Sequence, residues 1–253
     1  PAPGNPWSWR GCYWDHQPQA EIELLRRGFH VAYIAADANL KPSKHWDAWY
    51  AFLTEQHGLS KKPGFIGMSR GGEYAYTWAT SHPDKVSCIY ADNTGANPGA
   101  LAGLGDLARN DVPVLQICGS IDPLLGRNAL AIESIYQQFG GRISMIIKDG
   151  FGHHPHSLVD PKPIADFVTQ SALANQTKAP AFVGARFTRT CYYSTASSYR
   201  EFPRDNAFAI CRGPLFTSWY DRYTFGLAGV EGSITIIEPK AAAPEKPWVF
   251  RAD

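Results

Sequence analysis

Charge, methionine and long apolar runs are all scarce in this chain of 253 residues. Only 19% of residues are charged, and 24 Lys and Arg almost cancel 23 Asp and Glu, leaving a net charge of +1. That balance supplies no electrostatic reason to bind nucleic acid or an anionic membrane, and neither is expected as a partner. No stretch approaches the ~20 apolar residues of a membrane-spanning helix. No signal peptide is visible, but the chain opens on Pro1 rather than Met, which leaves a secreted or periplasmic location open. The five cysteines include no C-x-x-C pair, which argues against a zinc site of that type. Cys88 and Cys118 fall inside apolar runs and read as inert core residues. Cys191 and Cys211 flank an irregular segment, and their pairing, left open here, would require an oxidising compartment.

What is present suits a globular α/β protein. The hydrophobic fraction is 44%, enough for one full core in a chain of this length. Through the first 170 or so residues, short apolar runs alternate with amphipathic ones. Strands are expected at Pro6–Trp9, Phe29–Ala35, Pro63–Ile66, Val86–Ala91, Val112–Gly119 and Ile143–Ile147. Helices are expected from Gln19 to Gly28, from His45 to Gln56 with Ser43 as N-cap, from Gly72 onward, from about Asn128 to Phe139, and from about Pro163 to Leu173. Continuous apolar strands alternating with helices indicate a parallel sheet covered on both faces. The aromatic stripe Trp46, Trp49, Tyr50 and Phe52 reads as core packing.

The most informative string is Gly67-Met68-Ser69-Arg70-Gly71. A serine on a tight strand-to-helix turn, with small residues two before and two after it, stands exposed above the carboxyl end of a sheet. Serine is a poor nucleophile until an imidazole takes its proton and a carboxylate orients that imidazole. Both types follow at strand ends. Asp122 comes just past the Val112–Gly119 strand, and His153 follows the Ile143–Ile147 strand in Gly150-Phe-Gly-His153-His154-Pro-His156. A metal site from these histidines is set aside, because no second group of ligands stands out; no cofactor is expected.

The order Ser, Asp, His resembles the α/β-hydrolase superfamily. Gly67-Met-Ser-Arg-Gly-Gly72 with Gly152-His-His-Pro-His-Ser157 resembles bacterial alpha/beta hydrolases that often occur beside carbohydrate-processing enzymes. The resemblance implies a mostly parallel, doubly wound sheet of the α/β-hydrolase type over residues 1–176. It implies Ser69, Asp122 and His153 as the catalytic set. It places an oxyanion hole at the backbone N–H of Arg70 and at the loop around Gly11 and Cys12. Tyr13, Trp14 and His16 on that loop, with His154, become candidate substrate contacts. The Arg70 side chain either anchors an acidic group of the substrate or pairs with a carboxylate such as Asp15 and holds the loop, the second being favoured. The implied activity is carboxylic-ester hydrolysis, on an acyl or methyl ester of a carbohydrate or aromatic compound. A peptidase, an acyltransferase or a non-catalytic binding protein on the same fold are the alternatives. The short interval from Ser69 to Asp122 leaves room at 93–111 for a loop or short helix but not for a large cap, so an open site is expected.

The tail changes character. Residues 177–215 lack periodicity and read as an irregular linker or lid. Tyr220–Ile237 reads as a β-hairpin. Then Ala243-Pro-Glu-Lys-Pro-Trp-Val-Phe-Arg251 repeats Ala2-Pro-Gly-Asn-Pro-Trp-Ser-Trp-Arg10, with five of nine positions identical. In the proteins this chain resembles, such a hairpin precedes the segment that is here 11–30. Residues 216–253 are therefore expected to supply the antiparallel edge of the sheet, as in a circular permutation or a truncated tandem repeat. If the return is intramolecular, only one copy of the repeat is expected in the sheet. If it crosses to a neighbour, a strand-exchanged homodimer results.

Overall fold

The computed structural model describes residues 1–35, 42 and 44–177, together with the backbones of four further strands, Phe187–Tyr192, Tyr220–Gly226, Ser233–Pro239 and Val249–Ala252. Ser43 and any Cys191–Cys211 pairing lie outside the described residues. So does most of the 177–215 segment.

Six parallel strands form the centre: β1 (Trp7–Gly11), β2 (His30–Ile34), β3 (Gly64–Met68), β4 (Cys88–Asp92), β5 (Val114–Gly119) and β6 (Ile143–Lys148). They lie in the order β2-β1-β3-β4-β5-β6. Every residue of β1 to β5 is buried, as a sheet with both faces covered requires. The helices are α1 (Gln19–Arg26), α2 (Lys44–Ala51), α3 (Arg70–Ser81), α4 (Pro98–Arg109), α5 (Leu130–Gln138) and α6 (Lys162–Thr177). A π-helical segment, Phe52–Gln56, extends α2 and another, Leu125–Ala129, leads into α5.

Two apolar layers hold the sheet. One joins α2, α3, α4 and α5 to it through Trp46, Tyr50, Trp78, Leu104 and Tyr136. The other joins α1 and α6 to it through Leu24, Ile164 and Val168. Trp9 of β1 anchors the first layer, with ring centroids of Trp7, Trp46, Phe65 and Trp78 all 5.0–5.3 Å away. The stripe along α2 is thus core, each buried aromatic contributing roughly 1.5–3 kcal/mol.

Within residues 93–111, where a loop or short helix is expected, lies α4. Pro98 sits in the first turn of the twelve-residue α4, and the side chain of Asn97 caps it by accepting from the N–H of Ala100 at 2.8 Å. This helix packs beside α3 and α5.

The periphery departs from the sequence expectation in two ways. A strand, β7 (Phe187–Tyr192), lies inside the segment read as irregular and pairs parallel with β6. At the other edge, β8 (Tyr220–Gly226) pairs antiparallel with β9 (Ser233–Pro239). Between that pair and β2 lies β10 (Val249–Ala252), parallel to β2 and antiparallel to β9. The ends of both copies, Trp7–Arg10 and Val249–Arg251, are therefore in the sheet, one on each side of β2. The expectation of a single resident copy is corrected, because the two copies use different edges of one strand and do not compete.

Candidate active site

The site grows from three strand ends. At the end of β3, Ser69 adopts φ 52° and ψ −118°, a conformation costly for a residue with a side chain. Three glycines around it have no room for a Cβ. One added to Gly67 would meet the Cα of Gly72 at 2.5 Å, one on Gly71 would strike the carbonyl of Gly11, and one on Gly72 would strike Thr94. The turn is closed from below, where the N–H of Ser69 donates to the carbonyl of Asp92 at 2.9 Å.

The serine, histidine and acid meet in one hydrogen-bonded chain. His153 Nε2 lies 3.0 Å from Ser69 Oγ, and His153 Nδ1 lies 2.9 Å from Asp122 Oδ2. The Asp122 side chain is fully buried, and its other oxygen accepts from the N–H of Leu124 at 2.8 Å. The His153 side chain is 30% exposed and Ser69 is half-buried, so this serine–histidine pair meets solvent. An imidazole held this way accepts a hydroxyl proton on one nitrogen while the carboxylate fixes the other.

The loop after β1 packs against the serine turn. Gly11 is buried, and Cys12 and Tyr13 follow with φ of 68° and 53°. Burial pushes the Tyr13 phenol up, opposed by Arg70 and a hydrogen bond with Ser69. Burial likewise raises the Cys12 thiol. The loop's carbonyls are gathered by Arg10. Its Nη1 donates to Tyr13 O at 3.0 Å and His16 O at 2.9 Å, while its Nε is ion-paired with Glu21. Arg10 and Glu21 are both buried. Of the two roles open to the Arg70 side chain, holding this loop is performed by Arg10, and Arg70 itself is exposed. Trp14 is half-buried with its ring 5.2 Å from that of Tyr33.

Two adjacent residues, unmarked by any motif, tie the three strand ends together. Asp92 ends β4 fully buried, and its carboxylate accepts from Tyr90 Oη and Ser157 N, both at 2.7 Å, and meets His156 Nδ1 at 3.2 Å. Lys148 Nζ, also fully buried, lies 3.5 Å from the same carboxylate. Burial pushes this carboxyl up, but Lys148 and His156 outweigh it and hold it below its ordinary value. Asn93 Oδ1 accepts from Gly119 N at 2.9 Å, and its Nδ2 donates to the carbonyls of Gly152 and His153. The nucleophile turn, the acid strand and the histidine loop therefore share one polar hub. Its only sequence signal is a polar pair closing an otherwise apolar strand.

His154 is exposed and His156 buried. His16 comes across from the β1 loop to meet both, its ring centroid 6.2 Å from that of His154 and 5.5 Å from that of His156. The second source of ligands not evident in the sequence is this one residue.

No protein-family model and no curated protein matches the sequence. Solved structures do resemble the fold. A CIB-like hydrolase from Thermoplasma acidophilum is 17% identical with a TM-score of 0.48, over 69% of this chain and 89% of that one. Esterase PE8 is 16% identical with a TM-score of 0.48, over 66% and 93%. An uncharacterized protein from Bacillus cereus reaches a TM-score of 0.52 at 10% identity, over 69% of this chain and 59% of that one. The fold is α/β, a mostly parallel sheet with flanking helices.

Proposed function

We propose that the protein is a serine hydrolase that cleaves carboxylic esters through an acyl-enzyme. The observation that carries this reading is the hydrogen-bonded chain from Ser69 through His153 to Asp122. In the first half-reaction Ser69 Oγ attacks the ester carbonyl as His153 Nε2 takes its proton. Asp122 holds the Nδ1–H tautomer and stabilises the imidazolium. The oxyanion is received by backbone N–H groups at Arg70 and at Gly11 or Cys12, a reading supported by the close approach of Gly71 to the carbonyl of Gly11. His153 then protonates the departing alkoxide. Water, deprotonated by the same nitrogen, releases the acid from Ser69.

The substrate class in this reading is an acyl or methyl ester of a carbohydrate or aromatic compound. It is supported by the aromatic residues Tyr13 and Trp14 on the loop beside the serine and by the half-open reacting pair. A panel of short-chain p-nitrophenyl esters, acetylated sugars and aromatic methyl esters tests it. Wild-type protein is expected to hydrolyse at least one class, and Ser69→Ala to lose about 10⁴–10⁶-fold in kcat. His153→Ala is expected to be far more damaging than His154→Ala. Full activity in Ser69→Ala would reject the nucleophile.

A further inference from the structure

The cluster of His16, His154 and His156 beside the reacting pair is not used by the ester-cleaving mechanism. Each residue offers one ring nitrogen, and the three nitrogens lie within 4.8 Å of one another. They come from two loops, with His154 and His156 on the loop that carries His153 and His16 on the loop after β1. We propose that these three imidazoles form a site for one divalent transition metal of the zinc class, and that filling it slows ester cleavage at Ser69. The second half rests on the proposed function; the first does not.

The donor set suits such an ion. Imidazole is a borderline ligand that favours zinc, copper, nickel and cobalt over calcium or magnesium. Metal–nitrogen bonds of about 2.0–2.1 Å in a tetrahedral site put ligand atoms roughly 3.3 Å apart. The rings must therefore close by about 1.5 Å at most, within reach of side-chain rotation at the exposed His154. Three protein ligands leave a fourth position for water.

The support behind one ligand is already built. His156 Nδ1 is held by the buried carboxylate of Asp92, which leaves Nε2 as the ligating atom. A ligating histidine backed by a carboxylate is the usual arrangement at imidazole metal sites. The charged and titratable groups facing the cluster are Asp92, Asp122, Lys148, Arg10 and His153. Lys148 is paired with Asp92, and Arg10 with Glu21.

Slower catalysis follows from position. The ring of His153 lies 5.1 Å from that of His154 and 5.2 Å from that of His156. A doubly charged ion there opposes the imidazolium that His153 must become.

The test uses full-length protein stripped with chelator, then titrated with Co²⁺ and followed by its visible absorption. One ion per chain is expected, bound equally by wild type and Ser69→Ala. Binding is expected to weaken at least tenfold in both His154→Gln and His16→Gln. His154 is exposed, so its variant does not depend on refolding a core. No binding, or unchanged affinity in both variants, would overturn the site. In parallel, Zn²⁺ is expected to slow wild-type hydrolysis of p-nitrophenyl acetate reversibly, with recovery on adding EDTA. Zinc that binds without slowing the reaction, or speeds it, would overturn the inhibitory role. Cobalt binding in a protein that cleaves no ester would reject the proposed function and leave the site standing.

Discussion

Replacing Asp92 by asparagine removes one charge from a pair that solvent does not reach on either side. Asp92 and Lys148 side chains are both 0% exposed, with 3.5 Å between Nζ and Oδ1. At an effective dielectric of 20 that separation corresponds to an attraction of about 5 kcal/mol. Asparagine keeps the shape and can still accept from the N–H of Ser157. It cannot compensate the ammonium, whose other acceptors are the carbonyls of Pro155 and Ser157. Breaking a buried pair from one side costs about 3–5 kcal/mol, because the other charge stays buried without its partner. With a urea slope of ~2 kcal/mol/M, the unfolding midpoint should fall by about 1.5–2.5 M. The double variant Asp92→Asn/Lys148→Met should be less damaged than the sum of the singles, by roughly 1–3 kcal/mol. Circular dichroism in urea measures all four proteins. A loss below about 1 kcal/mol in the single variant, or strict additivity in the cycle, would refute the pairing as the source of the stability.

Asn93→Ala leaves the buried N–H of Gly119 without its acceptor and should cost about 1–3 kcal/mol; kcat for a p-nitrophenyl ester should fall while KM changes little, and an unaltered kcat would deny Asn93 its positioning role. Gly72→Ala places a methyl group against Thr94 and should cost about 1–3 kcal/mol, read from the urea midpoint, which would stay put if the turn had slack. Acid should destabilise the protein as pH falls from about 6.5 toward 4. His16 is held at about 4 in the fold, with His154 and His156 shifted the same way, so stability is full above the unfolded value and is lost as the unfolded chain takes up protons. For the partly screened His16 this is on the order of 1–2 kcal/mol. His16→Gln should flatten the profile, and a melting temperature that is constant over this range in wild type would contradict it. Deleting 216–253 should bare an edge of β2 and promote aggregation, detected by light scattering; a soluble, fully active deletion variant would show the tail to be an appendage.

The elements read most easily from the sequence are those whose chemistry is local. Ser69 announces itself through the glycines that its own turn needs, and β3 and β5 through unbroken apolar runs. The residues that escaped notice act at a distance. Lys148 ends a strand in a position that usually reads as solvated, and only the fold sets it against Asp92. Arg10 looks like one more residue of β1 until the following loop curls back over its guanidinium. His16 meets His154 and His156 only because two strand ends, far apart in sequence, open at the same edge of the sheet. The apolar periodicity of helix α4 is weakened by Gly99, Gly103 and Gly105. They matter in packing instead, since a Cβ on Gly103 would meet Thr80 at 2.6 Å and one on Gly105 would meet the ring of Phe139 at 3.1 Å.

The repeat at the two ends of the chain takes a physical meaning from the register around β2. Ala32 is opposite Trp9 on one side and Phe250 on the other, and Tyr33 is opposite Arg10 and Arg251. Side chains alternate faces along a strand, so residues paired with the same position lie on the same face of the sheet. The aromatic position of each copy therefore shares the face of Ala32, and the arginine position of each shares the face of Tyr33. A one-residue slip in either copy would exchange these faces. In the first copy this register seats Trp9 in the aromatic core and aims Arg10 at the carbonyls of the 13–16 loop. The same alternation of aromatic and arginine fits the second copy to the opposite edge of β2 in the same phase. A duplicated strand can thus extend a parallel sheet without displacing its original, provided that the strand between the copies has both edges free to pair.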